Sequence, residues 1–412
     1  MVGLVQFEIK KMLLRPLSLI IIFILLAVNG ITIFLDSGGN IVQRQDREMQ
    51  RMEQSKYAGE INQEWAILIQ TKLQEISKNP DYLMSQDEKK KVQENYLQRG
   101  YTEEYVDSMD NTAFLKPELI YSLPYRVLLN AEASSEFYNN AQKFSIILGN
   151  VYRTEFKGNK GEILAAKAEE MYSNLATNYT AHYDYNLGWI KLISMQYLMP
   201  FTLGIFLIIT LSTIFSGEYS QKTDSLLLSS KYGKSKLIHA KILAAFLVTV
   251  GFWLVIQIIN LLLVAGLFNL QGAHTFVQDW VFNNSPFPFT QLTNYLAVTF
   301  MSFIGVLFFA AFILLVSAKT KNPFISLLVS SMVLLFPVMG GISNIGGVIG
   351  ELSYFMPSQM LIAINHFIIF KAYYVFGNAL LMQYAVPMVA IMLTGLMVLI
   401  AYRTFKQRQV EN

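Results

Sequence analysis

Cysteine is absent from this 412-residue sequence, which excludes disulfides and thiolate metal sites. Charge is scarce as well: Asp, Glu, Lys and Arg make up 15% of the chain, against roughly 25% in a soluble domain. The shortage is uneven. Residues 36–191 hold 18 Lys/Arg and 23 Asp/Glu, while the rest of the chain holds only 14 and 6. The first set has an ordinary soluble composition. The second cannot cover a surface that faces water.

Within the charge-poor part, six stretches contain no Asp, Glu, Lys, Arg or His: Leu17–Leu35, Leu192–Ser216, Ile242–Phe268, Tyr295–Ala318, Phe324–Ile345 and Tyr384–Tyr402. About 20 apolar helical residues cross a bilayer core of roughly 30 Å. A central charge would cost about 2.5–3.5 kcal/mol on the insertion scale. The chain is therefore read as an all-α integral membrane protein with six transmembrane helices and one soluble insert. A seventh stretch, Phe355–Phe370, contains His366 and Pro357 and is short for a crossing. It is expected to be re-entrant or interfacial, with a seventh span as the alternative.

What the spans lack also excludes functions. Ion-coupled carriers mark their pathway with intramembrane ionisable groups, and channels with filter loops or charged rings. Neither is present. The four histidines, His182, His239, His274 and His366, have no metal-ligand spacing, and no nucleophile–base pairing suggests an enzyme. Gly233-Lys234-Ser235 imitates the end of a phosphate-binding loop, but the position that requires the earlier glycine is Leu228. The connection that holds it, residues 217–241, is 25 residues long, whereas independent domains start near 50. No cofactor is expected in this chain, no ATPase can be folded into it, and the energy for any active transport would have to come from a partner.

Lys and Arg in short connections set the orientation. Thirteen fall in the N-terminal segment, residues 217–241, the turn at Lys319 and Lys321, and the tail; the opposite connections hold only Lys371. Both termini are thus expected in the cytoplasm. The layout is a cytoplasmic amphipathic helix (1–16), spans at 17–35 and 192–216 flanking an extracytoplasmic domain (36–191), and a cytoplasmic segment (217–241). Then come a span (242–268), an extracytoplasmic loop (269–294), spans at 295–318 and 324–345, a re-entrant or interfacial segment (346–383), a last span (384–402) and a cytoplasmic tail (403–412). The first span follows basic residues like a signal peptide, but no small-x-small pattern follows Leu35, so it is expected to stay.

The insert reads as mainly helical. Ile61, Trp65, Leu68, Lys72, Leu73 and Ile76 return at helical steps before Asn79-Pro80, Ser85 with Glu88 suggests a capping box, and Gly161–Tyr179 suggests a further helix. In residues 2–14, Leu4, Val5, Phe7, Met12 and Leu13 suit a helix on the membrane surface.

The connection after the second span carries the strongest resemblance. Glu218, Thr223, Leu226, Leu227, Ser235 and Lys241 stand where ABC-2-type exporter permeases have an acidic residue at the end of span 2, a Thr-containing amphipathic helix, a basic turn and a lysine opening span 3. The N-terminal helix resembles the connecting helix of that family, and Leu352–Pro357 its re-entrant hairpin. The large insert is the departure, seen in a subset of bacterial members.

The resemblance implies the permease subunit of an ATP-driven exporter in a bacterial cell membrane, moving an amphiphilic substrate outward, whether peptide, drug or lipid-like. It implies a separate ATPase subunit and a second permease half, as homo- or heterodimer. Glu218, Lys222, Thr223, Leu226, Leu227 and Leu228 would couple to the ATPase, as part of a lever rigidly continuous with two spans. Asn29, Gln257, Asn260 and Asn344 are candidates for a substrate path, or else pair helices by hydrogen bonds. The alternatives are a four-span mechanotransmission ABC protein and a membrane sensor or scaffold with a helical ectodomain.

Overall fold

A computed structural model describes residues 1–37, 41–223, 233–278, 282–339 and 347–407. The fold is mostly helical, with little sheet. Helix α1 (Val2–Leu13) ends where Arg15, in extended conformation, leads into Pro16 at the first position of α2 (Pro16–Asp36). The insert follows with α3 (Ile41–Ser55), α4 (Gln63–Lys78), α5 (Gln86–Gln98), α6 (Leu123–Ser135), α7 (Phe137–Glu155) and α8 (Asn159–Asn178). Strand β1 (Gly59–Glu60) pairs antiparallel with β2 (His182–Tyr183), closing the insert at its base.

Local chemistry explains these boundaries. Asn62 caps α4 by accepting from Trp65 N, and Ser85 with Glu88 forms the complete capping box of α5. The inward face of α4 is Trp65 and Ile69. Leu68, expected on that face, is 46% exposed, because Trp65 NεH donates to Tyr57 O and fixes the rotation of the helix.

Among the described residues, five helices are long and apolar enough to cross a membrane: α2, α9 (Leu187–Ser220), α10 (Ser235–Phe268), α11 (Gln291–Lys319) and the last helix (Met382–Lys406). Between α11 and the last helix lie α12 (Pro323–Met339), α13 (Gly347–Ser353) and α14 (Pro357–Ile362). Helix α12 has 17 residues, about 26 Å at 1.5 Å per residue. The expected fifth span extended beyond it, to 345, into residues outside those described.

Residues 355–370 form no long helix. Helix α14 has six residues, a 3₁₀ turn follows at Ile364–His366, and β3 (Ala372–Val375) pairs with β4 (Asn378–Leu381) before the last helix, α15 (Met382–Lys406). Helix α14 tucks against α11 at Gly305, where an added Cβ would come 2.7 Å from Met360 Cβ.

Among the described residues, two apolar cores result. One joins the insert to the upper parts of α10, α11 and α15 through Trp65, Phe137, Trp189, Phe268, Phe276 and Met301. The other holds α1 and the lower ends of α9, α10 and α11 together through Met12, Phe206, Phe215, Phe252 and Phe309.

Candidate coupling site

Helix α1 packs one stripe, Val5, Glu8 and Met12, against the start of α10, while Phe7 turns outward at 62% exposure. Steps of three and four place these residues on one face. A carboxylate is therefore buried in an otherwise apolar stripe, and it needs a cation. Lys241 supplies it: Nζ lies 3.0 Å from Glu8 Oε1 and 2.9 Å from Glu218 Oε1. Lys241 sits inside α10, which starts at Ser235, earlier than the span predicted from residue 242.

Glu218 is the hub of the cluster. Besides Lys241 it takes a bond from Lys11 Nζ at 2.5 Å, and its second oxygen accepts from Thr223 Oγ at 2.6 Å. Two carboxylates and two ammonium groups thus balance within a largely buried cluster, and their oxygens are shared among several donors. Such pairing offsets the desolvation that a buried charge otherwise suffers. Arg15 Nη1 adds a second tie from the α1–α2 joint, donating to Thr213 Oγ at 2.8 Å.

The chain leaves α9 by a specific turn. Lys222 adopts φ +56°, its N–H bonds Tyr219 O, and Thr223 N–H bonds Glu218 O. These two bonds form a Schellman motif, which usually places glycine at the left-handed position. Thr223 is thereby aimed back at Glu218 by both backbone and side chain. Of the residues assigned to coupling, Glu218, Lys222 and Thr223 come together here. Leu226, Leu227 and Leu228 lie outside the described residues.

Helix α9 is not the straight rod expected. It carries a π turn at Pro200–Gly204 and a non-helical turn over residues 212–215. At the second break, Ser317 of α11 inserts its hydroxyl: Oγ accepts from the N–H groups of Phe215 and Ser216, both at 3.1 Å, and donates to Ser212 O at 2.8 Å. A side chain inserted into the backbone ladder is a recognised cause of a helix break. The Glu218 turn is therefore jointed to α9 and tied by charge to α1 and α10.

At membrane depth, Asn29 Nδ2 donates to Asn260 Oδ1 at 2.6 Å, and Gln196 Nε2 to Gln257 Oε1 at 3.4 Å. Asn29 thus pairs with Asn260, while Gln257 pairs with Gln196 in a separate buried contact, and Asn344 lies outside the described residues. Gln196 was not foreseen, since one glutamine in a long apolar run carries no periodic signal. Each of the four amides keeps one buried atom without a protein partner.

Glu8, Lys11 and Arg15 were also missing from the expected site. The signal for Glu8 was present: it is one of six acids outside the insert, at helical spacing from Val5 and Met12.

The profile of the family described as ABC-2 family transporter protein matches residues 6–410. No curated protein and no solved structure matches the chain.

Proposed function

We infer that this chain, which belongs to the ABC-2 transporter family, is the permease subunit of an ATP-driven exporter, with hydrolysis of ATP in a separate subunit. Membership makes it a transporter membrane component. Outward direction, an amphiphilic substrate, a second permease half and a bacterial plasma membrane with cytoplasmic termini are parts of the proposal. ATP and Mg belong to the partner. Coupling runs through residues 217–241, with Lys222, Leu226, Leu227 and Leu228 at the contact and the buried Glu218, bonded by Thr223, anchoring the segment to the bundle.

One observation carries this reading: Glu218 at the root of that segment is tied to α1 by Lys11 and to α10 by Lys241. A push on the segment therefore acts on α1 and α10 directly. The break at 212–215 keeps the same push from travelling up α9 as through a rigid rod. Loss of the Glu218 charge should cut this transmission. The test co-expresses the chain with the ATPase of the neighbouring reading frame and measures hydrolysis in proteoliposomes. Glu218→Ala should keep the two subunits together while removing the response of hydrolysis to transported amphiphile. An unchanged response would refute the assignment.

A further inference from the structure

We propose that α10 carries the stroke of the coupling segment to the insert, which thereby moves with each cycle of the ATPase. That movement rests on the coupling reading above, to which it adds the element moved and two positioning residues that grip it, Arg47 and Tyr185.

Three helices meet at the buried cluster of Glu8, Lys11, Glu218 and Lys241. Two of them are interrupted on the way to the insert. Helix α1 stops at Leu13, and the extended Arg15 turns the chain before α2 begins. Helix α9 is broken over 212–215 and again by the π turn at Pro200–Gly204. A displacement applied below such a joint is absorbed there by backbone rotation. Helix α10 differs. After its opening π turn at Gly233–Leu237 it is regular α-helix from Ile238 to Phe268, with Lys241 in the first turn. Its 31 residues span about 46 Å at 1.5 Å per residue, longer than a bilayer core of roughly 30 Å.

The last carbonyls of a helix have no partner within it. At the far end of α10 the insert supplies partners. Arg47 of α3 donates from Nε to Leu267 O at 3.2 Å and lays its guanidinium over the Phe268 ring, 5.2 Å from the centroid. Tyr185, just after β2, donates its hydroxyl to Phe268 O at 2.8 Å. Beyond the helix, Gln271 donates to Ser55 Oγ at 2.8 Å and to Asp184 at 3.0 Å. Phe268 is 4% exposed and lies in the same core as Trp65 and Phe137 of the insert. Directed bonds and close packing thus act together. The end of α10 cannot turn or slide without taking the insert along or breaking those bonds. From Lys241 to Trp65 the contacts are continuous, which is one physical route by which distant sites couple.

The insert also meets the segment before α15, where Tyr152 OH donates to Phe370 O at 3.4 Å. A distance from the insert to α15 therefore reads movement of the insert against a neighbour other than α10.

Double electron–electron resonance on the complex with its ATPase in nanodiscs tests this. The chain has no cysteine, so introduced pairs are its only label sites, and the ATPase is prepared without its own. An outer pair joins Thr71→Cys on the insert to Met388→Cys on α15, and an inner pair joins Phe7→Cys on α1 to Arg403→Cys on α15. All four positions are exposed. Trapping ATP with vanadate should shift both distances by about 2 Å or more, the scale of helix shifts in switching proteins. Arg47→Met with Tyr185→Phe should at least halve the outer shift and leave the inner shift and the rate of hydrolysis unchanged. Tyr185→Phe alone, which removes one hydroxyl, covers the case in which the double variant does not fold. An inner shift without an outer one overturns the proposal and leaves the coupling reading intact, as does an outer shift that neither variant reduces. An outer shift without an inner one places the drive elsewhere and also overturns it. Silence of both pairs overturns the coupling reading, and the movement of the insert with it.

Discussion

Lys241 of α10 holds Glu218 of α9 at 2.9 Å, with the lysine side chain only 1% exposed. The contact spans 23 residues of sequence, and the segment assigned to the motor contact lies between its two ends. The same ammonium reaches Glu8 of α1, so one buried cation fixes three helices at one end of the bundle.

Removing that cation leaves Glu8 without the ammonium that meets it. Lys241→Met should destabilise the protein by about 3–5 kcal/mol, as expected when one partner of a buried ion pair is lost. Lys11→Met should cost less than about 1 kcal/mol, because Lys11 is one-third exposed and Glu218 keeps Lys241. Thermal unfolding in detergent should rank the two variants in that order.

Ser317→Ala should strand the N–H groups of Phe215 and Ser216, both paired to its hydroxyl. A loss of about 1–3 kcal/mol per unmet buried group is expected. Ser317→Thr keeps the hydroxyl and should retain most of the stability. Hydrogen exchange at residues 212–217 checks the site directly, since Ala should raise exchange there and Thr should not.

The left-handed residue Lys222, at φ +56°, discriminates among substitutions by backbone alone. Lys222→Asn should be tolerated, because asparagine visits this region readily. Lys222→Val should cost about 1–2 kcal/mol and disturb the aim of Thr223. Unfolding temperatures of the two variants measure the difference.

Gly188 lies where α9 begins beside the end of α10, and an added Cβ would sit 1.7 Å from Asn269 O. Because that neighbour is backbone, the helices themselves must separate. Gly188→Ala should destabilise by about 1–3 kcal/mol. Gly266→Ala, with open space around it, should be near neutral in the same assay.

Much of the membrane part was legible because a bilayer imposes a coarse rule on composition. Charge-free runs identified the long helices, and the capping box at Ser85 and Glu88 could be read from two side chains. The ends of helices and their breaks were not legible. The break at 212–215 depends on Ser317, about a hundred residues away in sequence, and no local pattern foretells an inserted hydroxyl. Residue spacing likewise placed Gln257 and Asn260 on one face, but the partners Asn29 and Gln196 come from packing. Glu218 and Lys241 were visible through resemblance, whereas Glu8 needed a buried stripe to be recognised as part of their site.

Substituting the membrane amides separates structure from path. Asn29→Leu with Asn260→Leu should lower stability by about 0.6 kcal/mol per hydrogen bond lost. A loss of transport with the melting temperature nearly kept would assign these residues to the substrate path. Equal loss of both would assign them to packing.

The most direct measurement is transport by the purified chain in sealed vesicles, with and without its ATPase, under imposed proton and sodium gradients. Amphiphile should move only when the ATPase is present and supplied with ATP, and Glu218→Ala should stop it. Movement driven by either gradient in vesicles that hold this chain alone would contradict the account.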